Sequence, residues 1–360
     1  MNRDLFLPAP LGSIQLKNRI VMAPMTRNRS LGNVPGDLAA TYYGQRAGAG
    51  LIVTEGTSPS PNGLGYARIP GLFSQEQIGG WWHVTEAVHQ RHGRIFAQLM
   101  HTGRIGHPVN LPKGAEVLGP MAEAAAGEIF TDALGMQPHP VPRAMKEADL
   151  QQVIAEYVQA ARNARDAGFD GIELHGANGY LLEQFLNPGV NRRKDQWGGS
   201  LENRAQRLLE TVRATAKAIG ADRLGVRLSP HGVFNDMPPY AEAAQEQTWL
   251  AGQLSAMGIA YLHLVDHSSM GAPEVPDSTK AAIRRAFRGT LILCGGYDRA
   301  QAETDLVTGR ADLVGFGRLF IANPDLVERL RTRASLAVPN PETFYTPGAA
   351  GYSDYPTLAG

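Results

Sequence analysis

The sequence predicts a (β/α)8 TIM barrel, an α/β fold in which parallel strands close into a cylinder ringed by helices. Eight apolar segments, each six residues long, recur along the 360-residue chain. Their nearly continuous apolarity is typical of parallel strands buried on both faces, and helix-length segments separate them. The eight segments are RIVMAP (19–24), LIVTEG (51–56), RIFAQL (94–99), GIELHG (171–176), LGVRLS (224–229), YLHLVD (261–266), LILCGG (291–296) and LVGFGR (313–318).

The predicted helices lie between these strands. Residues 147–167 carry apolar side chains at helical spacing. Ser200 is suited to cap a helix N-terminus, and Gly220 is suited to follow the end of the same helix. Three further segments with this behaviour are 241–257, 298–308 and 323–333.

Two segments fall outside the repeat. Residues 101–146 form a long excursion after the third strand, and loops of this length usually serve a functional site. Residues 337–360 form an irregular aromatic tail rich in Gly and Pro. No linker divides the chain, so we expect one domain over residues 1–360, with the excursion over the active site. A doubly wound sheet is the alternative fold, but the G-x-G triplets at 48–50 and 315–317 do not extend into the G-x-G-x-x-G turn that it would need.

Composition narrows the class of protein. Lys plus Arg and Asp plus Glu both total 34, and no basic stripe predicts a nucleic-acid or membrane partner. The one cysteine, Cys294, excludes a disulfide framework, a cysteine zinc site and an iron–sulfur cluster. The N-terminus lacks the apolar segment of a signal peptide. We therefore expect a cytoplasmic protein, a monomer or homodimer, without a metal site.

In barrels of this kind the active site lies at the C-terminal ends of the strands, so the strand ends supply the candidate residues. They are Ala23, Pro24, Met25 and Thr26 after the first strand, Glu55 and Gly56 after the second, Gln98 in the third, His175 after the fourth, Arg227 in the fifth, Gly295 and Gly296 after the seventh, and Gly317 and Arg318 after the eighth.

The last four of these residues indicate a phosphate site. Loops after strands seven and eight commonly hold a phosphate in such barrels. Glycines let backbone N–H groups approach an anion closely, and an arginine can pair with it. The alternative is that the glycines only turn the chain.

Gln98 and Arg227 are polar residues within apolar strands, and a buried polar side chain needs a partner. The pyrimidine edge of an isoalloxazine ring offers several, and a cation near it would stabilise a reduced, anionic flavin. An internal structural hydrogen bond is the alternative.

His175, Asn178 and Tyr180 lie within six residues. The first two can donate to one ligand oxygen and stabilise negative charge as it develops there. Tyr180 stays protonated at neutral pH and can act as a general acid. A histidine alone would more often be a hydrogen-bonded core residue. No lysine ends a predicted strand, which disfavours a Schiff-base aldolase.

The chain resembles the Old Yellow Enzyme family of flavin ene-reductases over nearly its whole length, and specifically its N-ethylmaleimide reductase-like branch. The segments that carry the resemblance are KNRIVMAPMTR (17–27), LIVTEGT (51–57), AQLMHTGR (97–104), HGANGYLLEQFLNPGVNRRKDQWGGSLENR (175–204), GVRLSP (225–230), AYLHLV (260–265), GFGRLFIANPDLVERL (315–330) and GYSDYPTL (351–358).

This resemblance implies non-covalently bound FMN and NADPH or NADH as hydride donor. The substrates would be α,β-unsaturated carbonyls, maleimides or nitroalkenes, with His175 and Asn178 holding the substrate oxygen and Tyr180 supplying the proton. Three pocket candidates are Tyr66, Met100 (where many relatives have tryptophan) and Tyr345. Three alternatives remain at this point: a flavin reductase acting mainly on nitrate esters, quinones or oxygen, a flavin-binding sensor, and a cofactor-free lyase.

Overall fold

Eight parallel strands close into a barrel in the computed structural model, which describes residues 4–359. Each strand pairs with its neighbours in chain order, and the last closes on the first. The predicted (β/α)8 fold is thereby confirmed. The strands are β1 (Ile20–Met22), β2 (Leu51–Val53), β3 (Ile95–Leu99), β4 (Gly171–Gly176), β5 (Leu224–Leu228), β6 (Tyr261–Val265), β7 (Thr290–Cys294) and β8 (Leu313–Phe316).

Helices follow the strands and surround the barrel. The eight that alternate with the strands are α1 (Asp37–Gln45), α2 (Gln75–His89), α3 (Glu147–Asp166), α4 (Leu201–Ile219), α5 (Ala243–Ala256), α6 (Asp277–Ala286), α7 (Arg299–Val307) and α8 (Leu326–Thr332). Ser200 caps α4 by accepting a hydrogen bond from the Asn203 amide, and Gly220 follows its end with a φ of 95°, as predicted. Two short helices, Leu181–Leu186 and Arg318–Ala322, follow β4 and β8.

The strands are buried on both faces, which explains their apolar sequences. In β4, Ile172 and Leu174 belong to the large core cluster that includes side chains of the surrounding helices. The alternate residues, Glu173 and His175, lie on the other face, which lines the barrel interior. The N-terminal hairpin (Ala9–Leu11 with Ile14–Leu16) packs against the interior residues of the strands.

Both segments outside the repeat reach the C-terminal end of the barrel. The excursion contains a hairpin, Glu128–Thr131 paired with Gly135–Pro138, and its first strand lines the main cavity. The tail returns to the same end, where Glu342, Tyr345 and Pro347 also line that cavity. Among the helices within residues 4–359, none combines the length and apolarity needed to cross a membrane.

Candidate active site

Two adjoining cavities open at the C-terminal ends of the strands. The larger has a volume of about 860 Å³ and the smaller about 490 Å³. They join at a set of shared lining residues, so we treat them as one cleft. The shared residues are Pro24, Thr26, Arg227, His267 and Tyr345.

The structure places the sequence-derived candidates along this cleft, with one exception. The larger cavity is lined by Gly56, Tyr66, Gln98, Met100, His175, Asn178 and Tyr180, and the smaller by Ala23, Met25, Gly295, Gly296, Gly317 and Arg318. Glu55 is the exception. It is buried, accepts a hydrogen bond from the Arg27 amide at 3.0 Å and lies near the Tyr43 hydroxyl, so it supports the loop after β1.

His175 acts as a neutral hydrogen-bond donor. Burial, reinforced by the charge of Arg227, lowers the pKa of its imidazole to about 3. Its Nδ1 accepts a hydrogen bond from the Ala177 amide at 3.3 Å. The ring proton therefore lies on Nε2, which is the nitrogen left to donate to a ligand in the cleft.

Asn178 is oriented by a residue that we did not single out from the sequence, His267. The His267 Nε2 lies 2.8 Å from Asn178 Oδ1, and an amide oxygen can only accept. Burial lowers the pKa of His267 to about 4, so its single proton must lie on Nε2. This bond occupies the amide oxygen of Asn178 and leaves its Nδ2 group as the donor for a ligand.

Tyr180 lies beside both of these groups. Its ring meets the His175 ring edge-on at 4.8 Å between centroids, and its hydroxyl lies 3.1 Å from that of Tyr66. Burial raises the pKa of Tyr180, although Tyr66 and Asn235 act in the opposite direction. The phenol is therefore protonated at neutral pH and can supply a proton.

The floor of the cleft contains a charged network. Gln98 Nε2 donates to Glu173 Oε1 at 2.8 Å, and His263 Nδ1 lies 2.8 Å from Glu173 Oε2. Burial alone would raise the pKa of Glu173, but His263, Arg227 and Gln98 lower it to about 2, so the carboxyl is ionised. The internal hydrogen bond that was the alternative for Gln98 thus exists, and it leaves the amide oxygen of Gln98 available.

Arg227 provides the test of whether the cleft fits a flavin. Its side chain is 4% exposed, and its Nε and Nη1 atoms have no hydrogen-bond partner although they are buried. Leaving two buried guanidinium donors without partners is costly. The pyrimidine oxygen and ring nitrogens of FMN would satisfy these donors, so the floor fits the expected cofactor.

The smaller cavity fits the phosphate end of the same cofactor. Gly295, Gly296 and Gly317 line it together with Arg318. Gly296 has a φ of 71°, and a Cβ there would lie 2.6 Å from the Cβ of Ser269, so only glycine suits this turn. Arg318 Nη2 lies 3.1 Å from Ser269 Oγ, which leaves much of an exposed guanidinium free to pair with an anion.

Met100 lines the larger cavity and packs in a cluster with Leu64 and Ile69, against which Tyr66 and Tyr180 also pack. Met100 is 1% exposed, and its sulfur would lie 2.4 Å from a Cβ at Gly56. A glycine at position 56 therefore leaves the room that the Met100 side chain occupies.

Among the cleft residues that the sequence analysis did not single out, His267 and Asn235 are the two that bond to Asn178. His267 lies two residues after β6, and reading the end of that strand like the others would have found it. Asn235 donates to the Asn178 carbonyl at 2.7 Å from an irregular loop after β5, for which periodicity gives no signal.

Comparison with known proteins identifies the family of this chain. The family model described as the NADH:flavin oxidoreductase / NADH oxidase family matches residues 4–336. The chain belongs to this family. The predicted class of enzyme, an FMN-dependent oxidoreductase of the Old Yellow Enzyme type, is confirmed.

Relatives match nearly the whole chain. A 12-oxophytodienoate reductase from Oryza sativa subsp. japonica is 41% identical, with 98% of this chain and 94% of the relative covered. The solved structure of morphinone reductase is similar with a TM-score of 0.96 at 44% identity, covering 99% of this chain and 97% of the other. An Old Yellow Enzyme homologue from Zymomonas mobilis gives a TM-score of 0.95 at 38% identity, covering 99% and 100%.

Proposed function

We propose that this protein reduces the activated C=C bond of α,β-unsaturated carbonyls, maleimides or nitroalkenes with NADH or NADPH as the hydride donor. The observation that carries the proposal is the convergence of three neutral donors, His175 Nε2, Asn178 Nδ2 and the Tyr180 hydroxyl, on a cleft whose floor contains two unpaired donors of Arg227. Bound FMN supplies the redox chemistry, because its reduced ring is the hydride source.

In this proposal the protein holds the substrate and moves one proton. His175 and Asn178 donate to the electron-withdrawing oxygen and stabilise the negative charge that grows on it as the β-carbon is reduced. Tyr180 then donates its hydroxyl proton to the α-carbon. Because all three groups are neutral, the site is suited to developing negative charge rather than to a ground-state anion.

Gln98 and Arg227 would hold the pyrimidine edge of FMN, Thr26 would contact its O4 atom, and Arg318 with the neighbouring glycines would hold its phosphate. Ala23, Pro24, Met25 and Gly56 would complete the ring's surroundings. Tyr66, Met100 and Tyr345 would line the substrate side.

Three broader assignments belong to the same proposal. We take the whole chain as one FMN-binding barrel domain with its excursion over the site. We place the protein in the cytoplasm. With acidic and basic residues balanced at 34 each, we assign it small-molecule substrates and no nucleic-acid partner.

An anaerobic titration tests the proposal. We expect the purified, FMN-loaded protein to lose its visible flavin absorbance when NADH or NADPH is added, and to recover it on addition of 2-cyclohexenone. Cyclohexanone, which lacks the C=C bond, is the matched control and should restore nothing. Recovery with both ketones, or with neither, would refute an ene-reductase.

A further inference from the structure

The loop that carries Asn178 passes through two consecutive left-handed residues. Asn178 and Gly179 both have positive φ, 60° and 74°. Residues with a side chain rarely adopt this conformation, although asparagine tolerates it better than most. At Gly179 a Cβ would also lie 2.6 Å from the Phe234 carbonyl oxygen, so the chain passes too close for any other residue.

Two amides of this backbone are linked to one carboxyl group, that of Glu183, one directly and the other through Ser229. The Gly179 amide donates directly to Glu183 Oε2 at 2.6 Å. The Asn178 amide donates to Ser229 Oγ at 2.9 Å, and the Ser229 hydroxyl donates to Glu183 Oε1 at 2.7 Å. The loop carbonyls are held separately, by Asn235 and Gln184, both at 2.7 Å.

Both oxygens of Glu183 must accept for this arrangement to exist, which only a carboxylate can do fully. A protonated carboxyl carries a hydrogen on one oxygen. That oxygen would then oppose the proton of Gly179 or of Ser229. The Ser229 hydroxyl could turn away, but the chain from Asn178 to the carboxyl would lose its charge-assisted bond.

Within residues 4–359, Glu183 accepts hydrogen bonds but forms no ion pair with a cationic side chain. Its residue is 7% exposed in a helix between β4 and α4. Burial raises the pKa of Glu183 to about 7, against the lowering effect of the Gly179 and Ser229 hydrogen bonds.

The polar groups that share a small cavity with Glu183 come from Asn187 directly after its own helix, from Ser229 directly after β5, from the segment that follows (His231 and Tyr240) and from α5 (Gln247). Burial keeps Tyr240 neutral by raising its pKa. On α4, Arg204 is engaged with Glu246 and with the Leu186 carbonyl.

We propose that Glu183 is a positioning residue whose carboxylate, directly and through Ser229, holds the Asn178–Gly179 backbone so that the Asn178 amide faces the substrate oxygen. This inference rests on the proposed function of Asn178. It also makes substrate-oxygen binding depend on the protonation of a group that never touches the substrate. The affinity for a ligand oxygen is high when Glu183 is ionised, above pH 7, and decreases as the pH falls below 7.

Comparing Glu183→Gln with the wild type tests this inference, because the amide has the shape of the protonated acid and does not titrate. The measurement is the dissociation constant of para-chlorophenol, followed by flavin absorbance in the holoprotein from pH 5.5 to 8.5. Near pH 5.5 the two proteins should bind equally. At pH 8.5 the wild type should bind about tenfold more tightly, as expected for one charge-assisted hydrogen bond. Taking the ratio at each pH removes the ionisation of the phenol itself.

Glu156→Gln is the matched control. Glu156 lies on α3, and burial raises its pKa as well, but it does not line the cleft. Its ratio to wild type should stay constant with pH. A ratio for Glu183→Gln that is also constant would overturn the positioning role and leave the proposed ene reduction intact. Failure of the wild type to bind FMN or the phenol would instead contradict the proposed function.

A measurement on the wild type covers the case in which Glu183→Gln does not fold. In ¹⁵N-labelled holoprotein, the amide proton resonance of Gly179 should move downfield as the pH rises through about 7, because its hydrogen bond to the carboxyl strengthens. A Gly179 resonance that does not move between pH 5.5 and 8.5 would contradict the inference.

Discussion

At the scale of single residues, the two side chains aimed at the substrate oxygen, His175 and Asn178, are neutral, and each is fixed by a neutral hydrogen-bond partner. His175 and His267 both have strongly lowered pKa values, about 3 and about 4, mainly because they are buried. Each therefore has one proton, and a hydrogen bond to its surroundings fixes where that proton lies. The two donors aimed at the substrate oxygen are thus set before any ligand arrives, which is the condition for electrostatic stabilisation without reorganisation.

The role of Tyr180 can be separated from that of the flavin by removing one hydroxyl. Tyr180→Phe should slow flavin reoxidation by 2-cyclohexenone about 100-fold or more, the usual contribution of a general acid, while flavin reduction by NADH changes little. Stopped-flow absorbance of the two half-reactions measures both rates. Tyr66→Phe, which removes the hydroxyl 3.1 Å away, is the matched control and should have a much smaller effect. Equal slowing of both half-reactions would mean that Tyr180 is not the proton donor.

His267 should matter through Asn178. His267→Phe removes the donor to Asn178 Oδ1 and lets the amide rotate. We expect para-chlorophenol to bind about five- to tenfold more weakly, the effect of one neutral hydrogen bond. His267→Gln keeps a donor and should restore most of the affinity. Should Phe and Gln weaken binding alike, the orienting hydrogen bond would lose its assigned role.

At the scale of elements, strand ends were predictable from the sequence because burial on both faces makes strands apolar and the barrel brings all their C-terminal ends together. This explains why His175, Arg227 and Gly296 were found without any tertiary information. The residues that hold these side chains in position could not be predicted in the same way. Glu183 lies on a short helix and Ser229 directly after β5, and their contact depends on how two loops fold back. Glu173 lies within the fourth predicted strand, and its role is visible only in the structure, from its contacts with Gln98 and His263.

The C-terminal tail is a second element whose role could not be read from periodicity. Arg29 donates to the tail carbonyls of Thr343, Gly348 and Ala350 at 2.8–2.9 Å. Tyr352 stacks on Tyr42 with 4.0 Å between ring centroids. These contacts hold the segment that brings Tyr345 to the cleft.

Removing the hydrogen bonds of Arg29 should make the C-terminal tail more mobile. Arg29→Met is expected to lower the free energy of unfolding by about 2 kcal/mol, since it removes hydrogen bonds from a buried charged donor. It should also speed proteolysis within residues 336–359, which mass spectrometry of the fragments would show. The control is Arg213→Met, which changes an exposed arginine on α4 and should have almost no effect. An equally resistant tail in Arg29→Met would mean that the arginine does not hold it.

At the scale of the whole molecule, charge is balanced overall but not around the mouth of the cleft. Glu128 and Asp132 of the excursion hairpin and Glu342 of the tail line the larger cavity. Among the described cations, Arg68 lies at this mouth too, but it is paired with Asp132 and donates to the Tyr345 carbonyl at 2.9 Å. A nicotinamide that reaches the flavin must leave the rest of its dinucleotide near this negative rim.

We therefore expect NADH to be preferred over NADPH, because the 2′-phosphate adds negative charge where carboxylates already lie, while a free ribose hydroxyl can donate to them. The ratio of kcat/KM for the two donors should favour NADH at least tenfold at low salt and shrink as ionic strength screens the repulsion. Glu128→Lys should reduce the ratio. Asp222→Lys, the same charge change on the turn before β5 at the opposite end of the barrel, should not. A ratio near one that salt does not alter would refute the electrostatic explanation.

The most direct test of the central claim is a crystal structure of the holoprotein with para-chlorophenol bound. We predict the isoalloxazine pyrimidine edge against Gln98 and Arg227, and the phenol oxygen about 3 Å from both His175 Nε2 and Asn178 Nδ2. A flavin that leaves Nε and Nη1 of Arg227 unpaired, or a phenol oxygen bound by other donors, would contradict the account.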